Sequence, residues 1–224
     1  MLIPSSISRL INYSRRHGFQ ATLHRSYLAL CTLFLAGREV LFYYDFPGVH
    51  MPASISDWPN HLKVDRKQSQ EEIDEQDLQR IVNFWNPRLA RRNLAERFKA
   101  GATLWLIRSD GQLAGYGWTL TGRTMRPYFF PLGTNDVHLF DFLVFPEFRG
   151  RRINPSLVTY ILDRLSQEGR DRAFIEVGEW NQRELTSLSK TAFHFLGVAR
   201  KMSLFKWTIV DWNRDRANPA ALKP

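Results

Sequence analysis

The chain has 224 residues, of which 44% are hydrophobic and 24% are charged, and its formal net charge is +9. This composition is typical of a soluble globular protein, and the single cysteine, Cys31, excludes an intramolecular disulfide bond. The first residues lack the layout of a secretory signal, and the longest apolar run, residues 27–36, is too short to span a bilayer. We therefore expect a cytoplasmic protein.

The excess of positive charge predicts an anionic partner, such as a nucleotide cofactor, a sugar nucleotide, a nucleic acid or an anionic membrane surface. A generally basic surface is the alternative. The arginines are scattered along the chain and no nucleic-acid-binding motif is visible, so we predict no specific nucleic-acid partner.

The first third of the chain contains two predicted helices, at residues 5–17 and 21–36, followed by a strand. We expect the helices to pack on the domain, with contact to a membrane surface as the alternative. Residues 38–46 form an apolar run that predicts the strand. Residues 47–65 contain three prolines and predict a long surface loop.

The middle and end of the chain alternate between helical and strand patterns. An amphipathic segment with an acidic start predicts the next helix, and Pro87 separates it from another. Ser109-Asp110-Gly111 predicts the turn of a hairpin. In order, we expect helices at 71–85 and 88–100, hairpin strands at 103–108 and 112–121, a loop at 122–134, a strand at 173–177, a helix at 184–192, one or two strands within 198–207 and a fraying tail at 208–224.

Between these segments, residues 137–169 predict a strand, a tight basic turn and a helix. Residues 137–145 are apolar and aromatic, and Pro146 ends the strand because it cannot donate to a ladder. The turn carries three arginines, and Asn154 with Pro155 suits a helix start. Free amides at a helix N-terminus beside arginines form an anion site, for which a phosphate or pyrophosphate is the expected occupant. An ordinary solvated strand–helix turn is the alternative.

Residues 145–154 resemble the acyl-CoA-binding signature of the GNAT acyltransferase superfamily. In that family a strand ending in Val-x-Pro-x-aromatic leads into Arg-Gly-x-Gly-x-Gly/Ala and a long helix. The matching residues here are Val144, Pro146, Phe148, Arg149, Gly150 and Ile153. Arg152 and Asn154 replace the second and third small residues. The pair Glu176-Val177, Asn181 and Phe193 also fall at family positions, with Ala192 in place of a glycine.

The resemblance implies an α/β (α+β) fold with a mixed, mostly antiparallel central sheet of six to seven strands flanked by helices. It implies an N-terminal helical extension at 1–37, an acyltransferase domain at 38–207 and a tail at 208–224.

The resemblance also implies acyl-CoA, most simply acetyl-CoA, as co-substrate, with its pantetheine arm in a gap between the strands at 137–145 and 173–178. No metal is implied. The cofactor-binding residues that we predict are Leu143, Val144, Arg149, Gly150, Arg151, Arg152, Ile153, Asn154 and Asn181. For Asn181 the alternative is that it shapes the turn into the last helix.

Three residues are candidates for removing the proton of an attacking amine. His138 lies six residues before the strand-end valine, where some family members place a base, and an imidazole suits proton removal at neutral pH. Asp141 is expected on the opposite face of the strand, buried and in a structural hydrogen bond. Glu176 is the third candidate. The tyrosine that serves as acid in the family is replaced by Leu188, which leaves Ser187, Ser189 or a water to protonate the thiolate.

The sequence therefore predicts an N-acyltransferase, most simply an N-acetyltransferase, in which an amine attacks the thioester directly. The acceptor remains open between an amino sugar nucleotide, a small amine and a peptide amine. A non-catalytic acyl-CoA-binding module is the first alternative, because Leu188, Arg152 and Asn154 depart from the family pattern. A basic protein of nucleic-acid or membrane surfaces is the second, and a homodimer stays open.

Overall fold

The computed structural model of the protein describes residues 37–46, 58–204 and 207–212. The predictions for residues 1–36 and 213–224, including the two N-terminal helices and Cys31, lie outside the described residues. Within these ranges, none of the helices has the length and hydrophobicity needed to cross a membrane.

The described chain folds into eight strands and four helices. The strands are β1 (Gly37–Asp45), β2 (Leu62–Lys67), β3 (Thr103–Ser109), β4 (Gln112–Thr121), β5 (Val137–Val144), β6 (Arg172–Gly178), β7 (His194–Leu204) and β8 (Trp207–Asp211). The helices are α1 (Glu75–Phe84), α2 (Pro87–Lys99), α3 (Ile153–Gln167) and α4 (Gln182–Leu188), and a short 3₁₀ turn spans Pro146–Phe148.

The strands form a single sheet in the order β2-β3-β4-β5-β6-β1-β7-β8. Every neighbouring pair is antiparallel except β5 and β6, which are parallel. The predicted class, a mostly antiparallel mixed sheet with flanking helices, is confirmed. The sheet has eight strands instead of six to seven, because residues 62–65, predicted as loop, belong to β2 and residues 208–211, predicted as tail, belong to β8.

The first strand takes an unexpected place inside the sheet. β1 lies between β6 and β7, far from the hairpin of β3 and β4. Its centre is apolar on both faces, with Val40 and Leu41 both buried, and such a strand is stable only with neighbours on both sides and cover on both faces. The short β2, which carries Lys63, Asp65 and Lys67, forms the edge beside β3, where charged side chains discourage pairing with another chain.

Helices cover both faces of the sheet, as two tryptophans show. Trp105 pairs with Gly117 in the ladder, whereas Trp118 pairs with Leu104, so the two rings lie on opposite faces. Trp105 contacts Tyr160 of α3, and Trp118 contacts Phe98 of α2. The α3 face and the α2 face therefore provide two separate surfaces around the middle of β5.

The last helix is shorter than predicted. It ends at Leu188, and Ala192, expected to point inward, is exposed beyond its end. The hydroxyl of Thr191 donates to the Leu188 carbonyl at 2.6 Å, and that of Ser189 donates to the Thr186 carbonyl at 3.0 Å. Such local side-chain bonds compete with continuation of a helix.

Candidate active site

The site begins where β5 and β6 separate. The two strands pair only through Val137–Ala173, His138–Phe174 and Leu139–Ile175. Beyond Leu139, β5 continues to Val144 with β4 as its only partner among the described strands. The second half of β5 therefore faces an open gap in the middle of the sheet.

A β-bulge lies at this gap. Phe140 pairs with Trp118 and Leu143 with Tyr116, so Asp141 and Phe142 together stand opposite Gly117. Asp141 has a left-handed backbone, with φ of 52°. A Cβ at Gly117 would lie 2.3 Å from the Phe142 ring, so the bulge requires a glycine across from it. The bulge turns its two residues toward two different cavities.

The first cavity, which we call the β5–α3 cleft, has a volume of about 900 Å³ and runs from the end of β5 along the start of α3 to α4. Its lining contains Arg149, Arg152, Arg183 and Lys190, and Glu184 is the one carboxylate that the described part of the chain adds to it. The cleft is lined by residues 142–144, 148–150, 152–155, 182–184, 186, 187 and 190.

The start of α3 supplies free backbone donors to this cleft. Among the described residues, no backbone carbonyl accepts from the amides of residues 150–154. Unpaired amides and the helix dipole together favour an anion. Arg152 stands at the N-cap with φ of 58° and ψ of 18°, a left-handed conformation that glycine adopts at less cost. The departure from the family pattern at this position thus brings backbone strain as well as a positive charge.

Asn154, the second departure, links α3 to α4. Its Nδ2 donates to Glu184 Oε1 at 2.8 Å and to Ser187 Oγ at 2.9 Å. Its Oδ1 is buried and has no partner among the described residues. Burial raises the pKa of Glu184 above its usual value, and the bond from Asn154 lowers it by a smaller amount. The hydroxyl of Ser187, which accepts from Asn154, keeps its own hydrogen free to donate.

Most of the predicted cofactor-binding residues come together in the β5–α3 cleft, but Arg151 and Asn181 do not. The Arg151 guanidinium lies over the Phe148 ring, 5.6 Å from its centroid. Asn181 is the N-cap of α4, and its Oδ1 accepts from the Glu184 amide at 3.3 Å. Leu188 is fully buried. The residues that line the cleft are Leu143, Val144, Arg149, Gly150, Arg152, Ile153 and Asn154.

The second cavity, which we call the His138 pocket, has a volume of about 400 Å³. Six segments form it: strands β1, β5, β6 and β7, helix α2 and the loop after β4. All three predicted catalytic residues line it. The full lining is Glu39, Asn93, Glu96, Arg97, Met125, Arg126, Tyr128, His138, Phe140, Asp141, Glu176 and Lys201.

His138 and Glu176 form a hydrogen-bonded pair on the floor of this pocket. His138 Nε2 lies 2.7 Å from Glu176 Oε2, and the His138 side chain is 5% exposed, whereas that of Glu176 is 18% exposed. His138 Nδ1 is buried and unpartnered among the described residues. Tyr128 packs edge-on against the imidazole, and burial raises the pKa of Tyr128 well above its usual value. Glu176 is therefore the member of the pair that a molecule in the pocket can reach.

The prediction that Asp141 is buried on the face opposite His138 is wrong. The bulge breaks the alternation of the strand, so that Asp141 lines the same pocket as His138 with its side chain 42% exposed. Its carboxylate lies 2.6 Å from Arg97 Nη1. Arg97 in turn lies over Trp118 and Phe140, with its Cζ 5.1 and 5.7 Å from their ring centroids.

Glu39 is a pocket residue that the sequence analysis missed. Burial is the main cause of a raised Glu39 pKa, and the Glu176 carboxylate adds to the effect. Lys201, His138 and Arg126 act in the opposite direction. A signal was present in the sequence, because Glu39 is an acidic residue at the start of an apolar strand. Glu39 reaches the pocket because β1 lies between β6 and β7, which the sequence alone does not show.

The two cavities offer complementary chemistry on either side of one bulge. The β5–α3 cleft, with free amides and arginines, suits a polyanion to which a long, narrow organic group is attached. The His138 pocket, with carboxylates beside an imidazole, suits a protonated amine and can accept its proton. Asp141 and Phe142, adjacent on the bulge, line the pocket and the cleft respectively.

The chain is similar in structure to solved acetyltransferases. An acetyltransferase of the GNAT family from Colwellia psychrerythraea has a TM-score of 0.50 and 12% identity over 78% of this chain and 59% of its own. A GNAT-family protein from Novosphingobium aromaticivorans has a TM-score of 0.48 and 15% identity over 74% of this chain and 62% of its own. This chain thus spans about three fifths of the length of these two proteins. An acetyltransferase from Bacillus subtilis solved with CoA has a TM-score of 0.45 and 15% identity over 63% of this chain and 78% of its own.

Comparison with curated proteins gives no match. The model of the acetyltransferase (GNAT) family matches residues 64–186, which run from β2 into α4. This range includes the bulge, the start of α3 and the His138–Glu176 pair, but leaves out β1 and β7. Since the match covers more than half of the 224 residues, the chain belongs to the GNAT acetyltransferase family.

Proposed function

We propose that the protein is an N-acetyltransferase that moves the acetyl group of acetyl-CoA to an amine. The observation that carries the proposal is the gap between β5 and β6, which has a cationic cleft on one side and a carboxylate-lined pocket on the other. Membership of the GNAT acetyltransferase family supports the same reaction class.

In this proposal acetyl-CoA binds in the β5–α3 cleft. The amides of residues 150–154 and the guanidinium of Arg149 hold the pyrophosphate, and the pantetheine arm follows β5 toward the bulge. One contact supports this role for Arg149, because its Nε donates to the Val144 carbonyl at 3.3 Å and so holds the side chain along the end of β5. The thioester then lies near Phe142, between the two cavities.

The acceptor binds in the His138 pocket as an ammonium ion. Glu176 removes one proton from it, while His138, bonded to the far carboxylate oxygen, fixes the orientation of Glu176. The amine nitrogen attacks the thioester carbonyl carbon, so that a C–N bond forms, the C–S bond breaks and its electron pair leaves with the CoA sulfur. The nitrogen then gives up a second proton, which balances the proton that the thiolate takes up. Leu188 cannot protonate the thiolate. Two hydroxyls of α4 line the cleft, and since that of Thr186 donates to the Gln182 carbonyl, Ser187 is the candidate proton donor.

His138 remains the alternative base. It occupies the predicted position, but its near-complete burial means that an amine would reach it only through Glu176 or an ordered water. The acceptor itself remains open between a small amine, an amino sugar nucleotide and a peptide amine. A pocket of about 400 Å³ holds a small amine or the amine-bearing end of a larger molecule.

A non-catalytic acyl-CoA-binding module is the second candidate function. The observation that favours it is the combination of a buried Leu188 with a strained Arg152 in the cleft. Both residues stand where family members have groups that serve catalysis or phosphate binding.

A screen of amines with acetyl-CoA, read as free CoA thiol over time, tests the proposal. Amine-dependent release of CoA above spontaneous hydrolysis, with acetylated amine detected by mass spectrometry, is the expected result. Tight binding of acetyl-CoA by calorimetry without turnover of any amine would favour the binding module instead.

A further inference from the structure

We infer that Glu39, a residue outside the matched family segment, determines acceptor specificity by holding the amine as an ammonium ion beside Glu176. This inference rests on the proposed function, because it assigns a substrate class to the same pocket. It implies that the pocket selects a positively charged nitrogen over an uncharged group of equal size.

The sheet places the two carboxylates side by side. Glu39 lies opposite Gly178 of β6, and Leu41 lies opposite Glu176. Residues two apart on a strand share a face, so Glu39 and Leu41 lie on the same face as Glu176. Glu39 and Glu176 are therefore diagonal neighbours, about 7–8 Å apart along the sheet. Gly178, directly opposite Glu39, has no side chain of its own, and the indole of Trp180 packs over it.

Among the described residues, Glu39 lacks an ion pair of the kind that the other acidic residues of the pocket have. Asp141 pairs with Arg97 at 2.6 Å, Glu96 with Arg92 at 3.6 Å and Glu176 with His138 at 2.7 Å. No cation lies within ion-pair distance of Glu39 in the described part of the chain.

Glu39 is also partly buried, and burial and the Glu176 charge both disfavour its ionised form. An unpaired, partly buried carboxylate next to a second one is a costly arrangement for the empty protein. A cation placed between the two carboxylates would remove that cost. A primary ammonium ion fits, because it has three N–H donors and can bond to both carboxylates at once.

Lys201 and Arg126 offset this cost only in part, and among the described residues no cation of the pocket forms an ion pair with Glu39. Arg97 is held by Asp141 and by the rings below it, and Lys201 Nζ lies over the Phe129 ring, 5.4 Å from its centroid. Arg126 is exposed. Since Glu39 and Glu176 both line the His138 pocket, a substrate in that pocket can reach both carboxylates.

The two carboxylates would then have different kinetic signatures. Glu176 takes the proton, so its loss lowers kcat. Glu39 binds the ammonium group without exchanging a proton in the reaction, so its loss removes binding energy and raises KM for the amine with little change in kcat. A residue needed only for folding would change neither parameter in this selective way.

The experiment compares wild type, Glu39→Gln, Glu39→Asp and the control Glu179→Gln in steady-state kinetics with the best amine of the screen. Glu179 is a matched control, because it is the next acidic residue after Glu176, ion-paired with Arg38 at 3.3 Å and outside the pocket lining. For Glu39→Gln we expect KM for the amine to rise about 10-fold or more, kcat to change less than about 3-fold and KM for acetyl-CoA to stay constant. Glu39→Asp should recover part of the amine affinity.

A second measurement does not depend on turnover. Thermal stabilisation of the protein is measured with propylamine, ethanolamine and 1,4-diaminobutane, and with propan-1-ol as the uncharged match. We expect the amines, but not the alcohol, to stabilise wild type and Glu179→Gln, and the effect to disappear in Glu39→Gln.

These outcomes separate the inference from the proposed function. Amine stabilisation that depends on Glu39, without acetylation of any amine, would support the inference and refute the proposed function. Acetylation with an unchanged amine KM in Glu39→Gln would support the proposed function and refute the inference. Absence of stabilisation by any amine in the wild type, or equal stabilisation by propan-1-ol, would overturn the inference.

Discussion

The β5–α3 cleft and the His138 pocket lie on either side of one bulge, yet they are built in opposite ways. The cleft carries four cationic side chains and one carboxylate in its lining, whereas the pocket carries four carboxylates, three cations and His138. The cleft comes mainly from one continuous stretch and from α4, but the pocket gathers residues from six segments. Under the proposed function, donor binding would depend on charge and free amides along one turn, whereas acceptor choice would depend on how distant strands meet.

The largest expected effect is a loss of turnover on substitution of Glu176. Glu176→Gln should lower turnover by about 10²–10⁴-fold, because it removes the proposed proton acceptor. Acetyl-CoA affinity should not change, since Glu176 is outside the cleft lining. Single-turnover kinetics and calorimetry check the two statements.

His138→Gln is the companion variant, and it should lose less turnover than Glu176→Gln, because its amide can still donate to Glu176. A larger loss in His138→Gln would make the imidazole the base, as the sequence position suggests. Wild-type turnover in Glu176→Gln would remove Glu176 from the mechanism.

The next effect concerns the charge of the cleft. Arg149→Ala should weaken acetyl-CoA binding by about 1–3 kcal/mol, because it removes a charge-assisted hydrogen bond to the phosphates. Arg151→Ala is the matched control, since Arg151 lies over Phe148 and outside the cleft lining. Calorimetry with equal losses for both variants would show that general positive charge, and not the shape of the cleft, holds the cofactor.

A smaller effect concerns backbone strain at the start of α3. Arg152→Gly should raise the free energy of unfolding by about 1 kcal/mol, because the left-handed conformation costs a non-glycine residue about 1–2 kcal/mol. Acetyl-CoA binding should not improve, since the variant also loses a charge. Arg152→Ala keeps the strain and loses the charge, so it separates the two effects in denaturant unfolding and calorimetry. Tighter binding by the glycine variant would mean that Arg152 obstructs the phosphates.

The smallest effect concerns the single carboxylate in the lining of the cleft. The pKa of Glu184 is raised in the folded protein, so its contribution to stability is fully present below its unfolded pKa and is lost as pH rises through the folded value. Glu184→Gln, whose amide oxygen can still accept from Asn154, should therefore be more stable than wild type at neutral pH and lose that advantage in acid. Acetyl-CoA binding should also become tighter at neutral pH. Denaturant unfolding at a series of pH values checks the first statement, and a gain that grows in acid would contradict it.

The two cavities also differ in how far the sequence alone could predict them. Residues 137–169 encode a strand, a turn and a helix locally, so the start of α3 and most cleft residues could be predicted from one motif. The His138 pocket could be predicted only where the family pattern marks β5 and β6. Glu39 was missed because nothing local shows that β1 inserts between β6 and β7. The prediction of the strand face on which Asp141 lies was wrong, because the glycine that permits the bulge, Gly117, lies on another strand.

The inserted position of β1 also bears on how the chain folds. Residues 37–45 pair with residues 172–178 and 194–201, so both ladders of this strand join segments more than 125 residues apart. Such non-local pairing slows folding, because a large loop must close before any contact is gained. During synthesis β1 has no partner strand on either edge until β6 and β7 have been made. The half of the sheet that carries Glu39 and Lys201 is therefore expected to form late, after the hairpin of β3 and β4, and acceptor binding should be the last property to return on refolding.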